Sequence, residues 1–185
     1  MTRVAGAVLA AGAGRRMGRP KAEVEVDGVR LVDRAVRCLQ GAGCDPVLAV
    51  VRAGTSVPGA QVVVNDDPDR GQRSSLELAV GASGDVDAVA VLLVDAPGIG
   101  PDAVTAVVAA WRPGRIAVAD YDGRRGHPIV MAPSLWRDAL ALAGPDEGAR
   151  ALLRTRADLV DVVPVPGDPT DLDTPDDLAR WTGRA

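Results

Sequence analysis

The stretch LAAGAGRRMGRPK, from Leu9 to Lys21, sets small residues at Ala10, Ala11, Gly12 and Gly14 beside four cations, Arg15, Arg16, Arg19 and Lys21. Backbone N–H groups freed by glycine turns cradle phosphate oxygens, and a flexible ammonium follows charge as it moves onto a departing pyrophosphate. Triphosphate chemistry uses both. Lys21 is the only lysine beside 20 arginines, a compact point charge where the chain otherwise writes every cation as a planar fork. Two other phosphate-binding patterns fail on spacing. A P-loop runs from Gly-Lys directly into Ser or Thr, whereas here Arg19 and Pro20 separate Gly18 from Lys21. A dinucleotide fingerprint counted from Gly12 puts Met17 at its last glycine, and Arg52 follows Val51 where an acidic ribose ligand belongs.

Carboxylates form the second group. Asp95 closes a strongly apolar run and precedes Pro97, which projects its side chain from a strand end. Magnesium takes oxygen ligands and is held by one or two carboxylates plus substrate phosphates; a turn-forming Asp is the structural alternative. Asp171 and Asp173 are two apart, so in an extended segment they share one face and one of them reaches the metal. Either also suits the N-terminal charge of a helix. Ser74 and Ser75 open a helical pattern, where a hydroxyl can serve as a cap. His127 and Asn65 are each the only residue of their kind. An isolated histidine is more often structural than catalytic, and a phosphate nucleophile, already ionised near neutral pH, demands no general base.

These residues need a frame. Arg3 to Ala10 reads as a buried strand ending in the glycine stretch, and apolar runs recur at Val47 to Val51, Val62 to Val64 and Ala88 to Val94. Helical patterns at Leu31 to Gln40, Ser74 to Val80 and Asp102 to Trp111 alternate with them, the signature of a parallel sheet with covering helices. Further strands are expected at Ile116 to Ala119, Pro128 to Met131 and Leu159 to Val165, and helices at Ser134 to Ala143 and Glu147 to Thr155. Asp122 and Gly123 supply a turn. Thr174 caps a last helix, with Pro175 at its first position and Asp177 completing a capping box. In such sheets ligands bind beyond the carboxyl ends of the strands, where the glycine loop, Asp95 and the Asp171-Leu172-Asp173 segment all fall. The expected fold is a three-layer α/β/α Rossmann-like fold with a mostly parallel sheet.

The chain of 185 residues, 47% hydrophobic and 25% charged, has the size of a single domain over 1–185. A net charge of −4 without a basic stripe argues against a nucleic-acid partner. No apolar run approaches the roughly 20 residues that span a bilayer, and the N-terminus lacks the order of a signal peptide, so no membrane partner and a cytoplasmic location are expected. Cys38 and Cys44 are too few for a disulfide framework and are expected to be reduced and structural.

LAAGxGxRMG followed closely by Lys resembles the signature of the nucleotidyltransferases that include the molybdenum cofactor cytidylyl- and guanylyltransferases and the sugar-phosphate nucleotidyltransferases. The resemblance covers nearly the whole chain. It implies that Leu9, Ala10, Ala11, Gly12 and Gly14 seat the nucleotide, that Lys21 and Arg16 bind its phosphates, and that Asp95 holds a catalytic magnesium. DLDTPDDL at 171 to 178 matches the family's helix start and makes Asp173 the second metal ligand, with Asp171 next. Asn65, Gly71 and Ser75 fall where the family contacts the base. Gly126-His127-Pro128 and the stretch from Asp146 to Arg150 are typical of the cytidylyltransferase branch and imply that His127 and Arg150 bind the acceptor's phosphate or pterin. The implied reaction joins NMP from CTP to a phosphorylated acceptor, molybdopterin, with pyrophosphate release; a molybdoenzyme would receive the product. Ala22-Glu23-Val24 and Asp95-Ala96-Pro97 depart from the usual pattern and leave GTP or a sugar phosphate open. The rivals are a non-catalytic nucleotide-binding module and a dehydrogenase.

Overall fold

The apolar run after Arg3 forms β1 (Val4–Leu9), buried along its whole length. Its side chains alternate between two cores: Val4 and Val8 enter one, Ala7 and Leu9 the other. Each buried valine or leucine of this kind contributes roughly 1.5–3 kcal/mol. A computed structural model describes residues 2–144 and 147–183. In chain order the elements are β2 (Glu25–Val26), β3 (Val29–Arg30), α1 (Leu31–Gly41), β4 (Val47–Val51), β5 (Gln61–Val64), α2 (Gln72–Ala82), β6 (Ala88–Leu93), α3 (Pro101–Ala110), β7 (Ile116–Tyr121), β8 (Arg124–Met131), α4 (Pro133–Leu142), α5 (Arg150–Thr155), β9 (Val160–Pro164) and α6 (Pro175–Thr182).

A seven-stranded sheet has the order β5-β4-β1-β6-β8-β7-β9. All its pairings are parallel except those of β8, which runs antiparallel to both β6 and β7. The cause is local. Asp122 and Gly123 both have positive φ, 52° and 88°, the two-residue turn that folds a chain back into a hairpin. The expected turn is therefore there, and it extends β8 back to Arg124, four residues before the apolar run the sequence marks. A second such turn at Asp27 and Gly28 (φ 53° and 73°) joins β2 to β3, a hairpin too short to leave an apolar pattern.

Helices cover both faces. α1 buries Leu31, Val32, Val36 and Leu39 and, with α3, packs on the core that holds Val8. α2 and α4 close the other, where Trp136 is almost fully buried and donates its Nε1–H to the Val89 carbonyl at 2.9 Å. The helix expected from Glu147 begins only at Arg150, because Gly148 adopts φ 52°, outside helical space. The three layers and the mostly parallel sheet are those expected of an α/β nucleotidyltransferase fold. Among the described residues no helix is long and apolar enough to cross a membrane. Cys38 and Cys44 are both free and buried, and burial pushes their thiols above the usual range, Cys44 to about 11.

Candidate active site

Strand register creates the site. β1 and β6 run parallel with Leu9 opposite Leu93, so the chain leaves both strands at the same edge. The glycine loop departs from one and Val94-Asp95 from the other, tied by Val94 N–H to the Leu9 carbonyl at 3.3 Å. The loop then turns tightly. Gly14 has φ 58°, and a Cβ there would lie 1.9 Å from the Arg19 carbonyl oxygen, so no other residue fits. Buried Met17 anchors the loop in the core, Lys21 N–H reaches back to the Gly12 carbonyl at 3.3 Å, and Arg52 donates to the Ala11 carbonyl at 3.2 Å.

This fold of the loop brings Lys21 between two carboxylates. Its Nζ donates to Asp95 Oδ2 at 2.7 Å and to Asp173 Oδ1 at 2.6 Å. Arg16 approaches Asp173 Oδ2 at 3.5 Å. Burial alone would lower the lysine's pKa, but Asp95 and Asp173 together outweigh it and raise it above the ordinary lysine value. The other oxygen of Asp95, Oδ1, is buried and has no hydrogen-bond partner. An orphaned carboxylate oxygen costs free energy unless a donor or cation meets it.

Asp173 is held by the C-terminal segment. Leu172 is buried and its N–H donates to the Asp95 carbonyl at 2.8 Å. The Thr174–Asp177 capping box is formed as expected, and Asp177 Oδ2 also accepts from Asp173 N–H at 3.1 Å. The Thr174 hydroxyl, then the backbone N–H groups, hold the Asp177 carboxyl down to about 2. Of the pair expected to share one face, only Asp173 meets Lys21. Asp171 instead lines a cavity on the far side, where burial and then Asp95 raise its pKa.

Lys21 lines two compartments, Asp95 lines the second of them, and a third opens from that second one. A cleft of about 620 Å³ is lined by Gly14, Arg15, Arg16, Lys21, Arg70 and Asp173, with Arg15 bridging it to Asp69 at 3.2 Å. A cavity of about 310 Å³ lies between Leu9, Ala11, Gly12, Gly71, Ser75 and Asp95. A third, of about 340 Å³, shares Leu9 and Leu93 with the second and continues to Trp136, His127, Arg150 and Asp171. Each is of a size to take part of a small ligand.

Gly71 and Ser75 thus line the second cavity. Asn65 does not. It is buried, donates to Ser74 Oγ and Ser75 Oγ at 2.9 Å each, and accepts from Asp67 N–H at 3.0 Å. It positions the serines rather than meeting a base. Neither serine caps the helix: Gly71 is the N-cap, and Ser74 Oγ donates to its carbonyl. Ser75 accepts from Asn65 and so keeps its own O–H to donate into the cavity. His127 and Arg150 line the third compartment with Arg124, Arg125 and Gln72, which sequence reasoning did not single out; the arginine pair before Gly126 was the available signal. Asp146, the first residue of the stretch matched to the cytidylyltransferase branch, lies outside the described residues.

The MobA-like NTP transferase domain family matches residues 6–161. The chain belongs to this family. Among relatives of this MobA-like chain, nicotine blue oxidoreductase of Paenarthrobacter nicotinovorans is 34% identical over 96% of this chain and 95% of that protein. Molybdenum cofactor guanylyltransferase of Rhodobacter capsulatus is 33% identical over 98% and 96%. Among solved structures, Rv0371c from Mycobacterium tuberculosis H37Rv superposes with TM-score 0.84 at 25% identity over 98% of each chain, and it has also been solved in complex with manganese. The MobA-like chain is thus a nucleotidyltransferase by family as well as by fold.

Proposed function

We propose that residues 1–185 form one domain that transfers a nucleoside monophosphate from an NTP to a phosphorylated small acceptor, in the cytoplasm and with a divalent cation. The observation that carries this reading is Lys21 Nζ between Asp95 and Asp173, at the junction of the cation-lined cleft and the second cavity, both of which Lys21 lines. An acceptor phosphate oxygen forms a bond to the α-phosphorus as the bond to the β-phosphate oxygen breaks and pyrophosphate leaves. Glycine-loop N–H groups and Arg16 hold the phosphates in line, and Lys21 follows the charge onto the leaving pyrophosphate.

Among the described residues no three or more His, Cys, Asp or Glu are grouped so as to hold a metal ion by themselves. Two carboxylates, one with an orphaned oxygen, fit a hard cation that keeps waters and takes its remaining ligands from phosphate. Asp95 and Asp173 would hold magnesium or manganese, which supplies charge neutralisation at the reacting phosphate. The manganese complex of Rv0371c supports this choice.

For the acceptor, relatives named molybdenum cofactor guanylyltransferase support molybdopterin. They also favour GTP over the CTP that the sequence resemblance implied, with a molybdoenzyme receiving the product. The test is pyrophosphate release with each NTP, metal and molybdopterin. Native turnover with one NTP, and its loss in a folded Asp95→Ala variant, is the expected result; full turnover in the variant would sink the reading.

A second reading rests on the relative named nicotine blue oxidoreductase: an oxidoreductase, which would revive the dehydrogenase rival. Arg52 at the end of β4, where an acidic ribose ligand would stand, weighs against it. Titration of NAD(P)H fluorescence separates the two.

A further inference from the structure

The single histidine of the chain sits on β8 (Arg124–Met131) with its ring at the wall of the third cavity. Its Nδ1 lies 3.0 Å from the carbonyl oxygen of Val91 on β6. A carbonyl only accepts, so Nδ1 carries the proton. The other nitrogen, Nε2, has no partner among the described residues. An imidazole with its ordinary pKa is already mostly neutral above pH 7, which leaves Nε2 with a bare lone pair.

Two surroundings reinforce that state. Burial pushes the ring's pKa down, the carbonyl of Val91 and Asp95 work against this, and Arg150 lowers it further. The cavity is also rich in cations already, since Arg124, Arg125 and Arg150 reach its rim, and none of the three has an ion-pair partner among the described residues. An anionic group therefore has three exposed guanidinium forks to choose from. A neutral imidazole presenting an acceptor has nothing to offer an oxyanion that carries no proton.

We infer that His127 is a specificity-determining residue that accepts, through Nε2, a hydrogen bond from an N–H or O–H on the uncharged body of the acceptor, while arginines take its anionic end. This rests on the reading of the third cavity as the acceptor site, and of the two roles the resemblance implies for His127, phosphate or pterin, it excludes the phosphate. The apolar wall of Leu76, Val91, Ile129 and Trp136 fits a flat heterocycle whose edge carries such donors. Asp171, an acceptor on the same wall, suits a second donor on that edge.

Because one histidine is present, ¹⁵N-histidine labelling of the full chain yields one imidazole to interpret. Near pH 7.5 the Nδ1-protonated tautomer with bare Nε2 is expected. Hydroxymethylpterin, which carries N–H and O–H donors and no phosphate, is expected to move the Nε2 resonance, and sulfate, an oxyanion with no proton at this pH, to leave it in place. His127→Asn keeps a donor for Val91 but withdraws the Nε2 acceptor, so pterin binding is expected to weaken about tenfold, equivalent to about 1.4 kcal/mol, with sulfate binding unchanged. His127→Gln, which puts an amide oxygen near the Nε2 position, is expected to recover part of it. An imidazolium, an Nε2–H tautomer, a shift with sulfate but not with pterin, or no shift with either overturns the inference. Neither NTP nor turnover enters these measurements, so a failure of the transferase assay remains a separate result.

Discussion

Lys21 Nζ stands 2.7 Å from Asp95 Oδ2, with Asp173 Oδ1 at 2.6 Å on its other side. The lysine therefore neutralises the same two carboxylates that a divalent cation would use. Both carboxylates are only partly exposed, so their repulsion is incompletely screened when the ammonium is gone.

In Lys21→Met the carboxylates face each other with that ammonium absent. Magnesium or manganese alone is expected to raise the variant's Tm more than the native protein's, while kcat falls on the order of 10²–10³-fold through loss of a transition-state charge. Thermal melts with and without metal, set beside pyrophosphate release, check both halves. An equal metal-induced increment in the two proteins would show that Lys21 and the cation do not share these groups.

Asp177 gives a prediction in acid. Its folded pKa, about 2, lies below that of an unfolded aspartate, near 3.9. A depressed carboxyl contributes stability that is fully present above the unfolded value and is lost as pH falls through the folded one. The native protein is expected to lose Tm between about pH 4 and pH 2 more steeply than Asp177→Asn, the two curves converging at the acid end. Parallel curves across that range would contradict the assignment. Thr174→Ala, which removes the other half of the box, is expected to cost about 1 kcal/mol at neutral pH.

Gly98 tests the link between the C-terminal segment and the site. A Cβ there would meet the Asp168 carbonyl at 2.5 Å and the Trp181 ring at 2.6 Å. Gly98→Ala is expected to destabilise by roughly 1–3 kcal/mol and to lower kcat by loosening the segment that carries Asp173, with NTP affinity less affected because the glycine loop is untouched. Denaturant melts and steady-state kinetics with varied NTP read the two effects separately.

Local features were legible in the chain itself. The glycine loop, the strand that feeds it, Asp95 and the Thr174–Asp177 box all lie where short-range rules put them. The direction of β8 was less so, because Asp122-Gly123 marks a turn without saying which strand the returning chain will join. Nor does spacing reveal that Asn65 spends its amide on Ser74 and Ser75, nine and ten residues on. The same residue types would suit a ligand equally well, and only the packing of β5 against α2 decides. Asp171 and Asp173 share a face only in an ideal strand. Here Leu172 is drawn into the core between them, and the chain parts their directions toward two different compartments.

That buried leucine has a bearing on the order in which the molecule becomes competent. The last strand of the sheet ends at Pro164, and Asp173 arrives after it, drawn in when Leu172 docks beneath Asp95. A growing chain can thus complete its sheet and expose its glycine loop while the second carboxylate is still missing. On the proposed assignment chemistry would wait for the segment that carries Asp173, and a chain interrupted before it would hold a nucleotide without spending it.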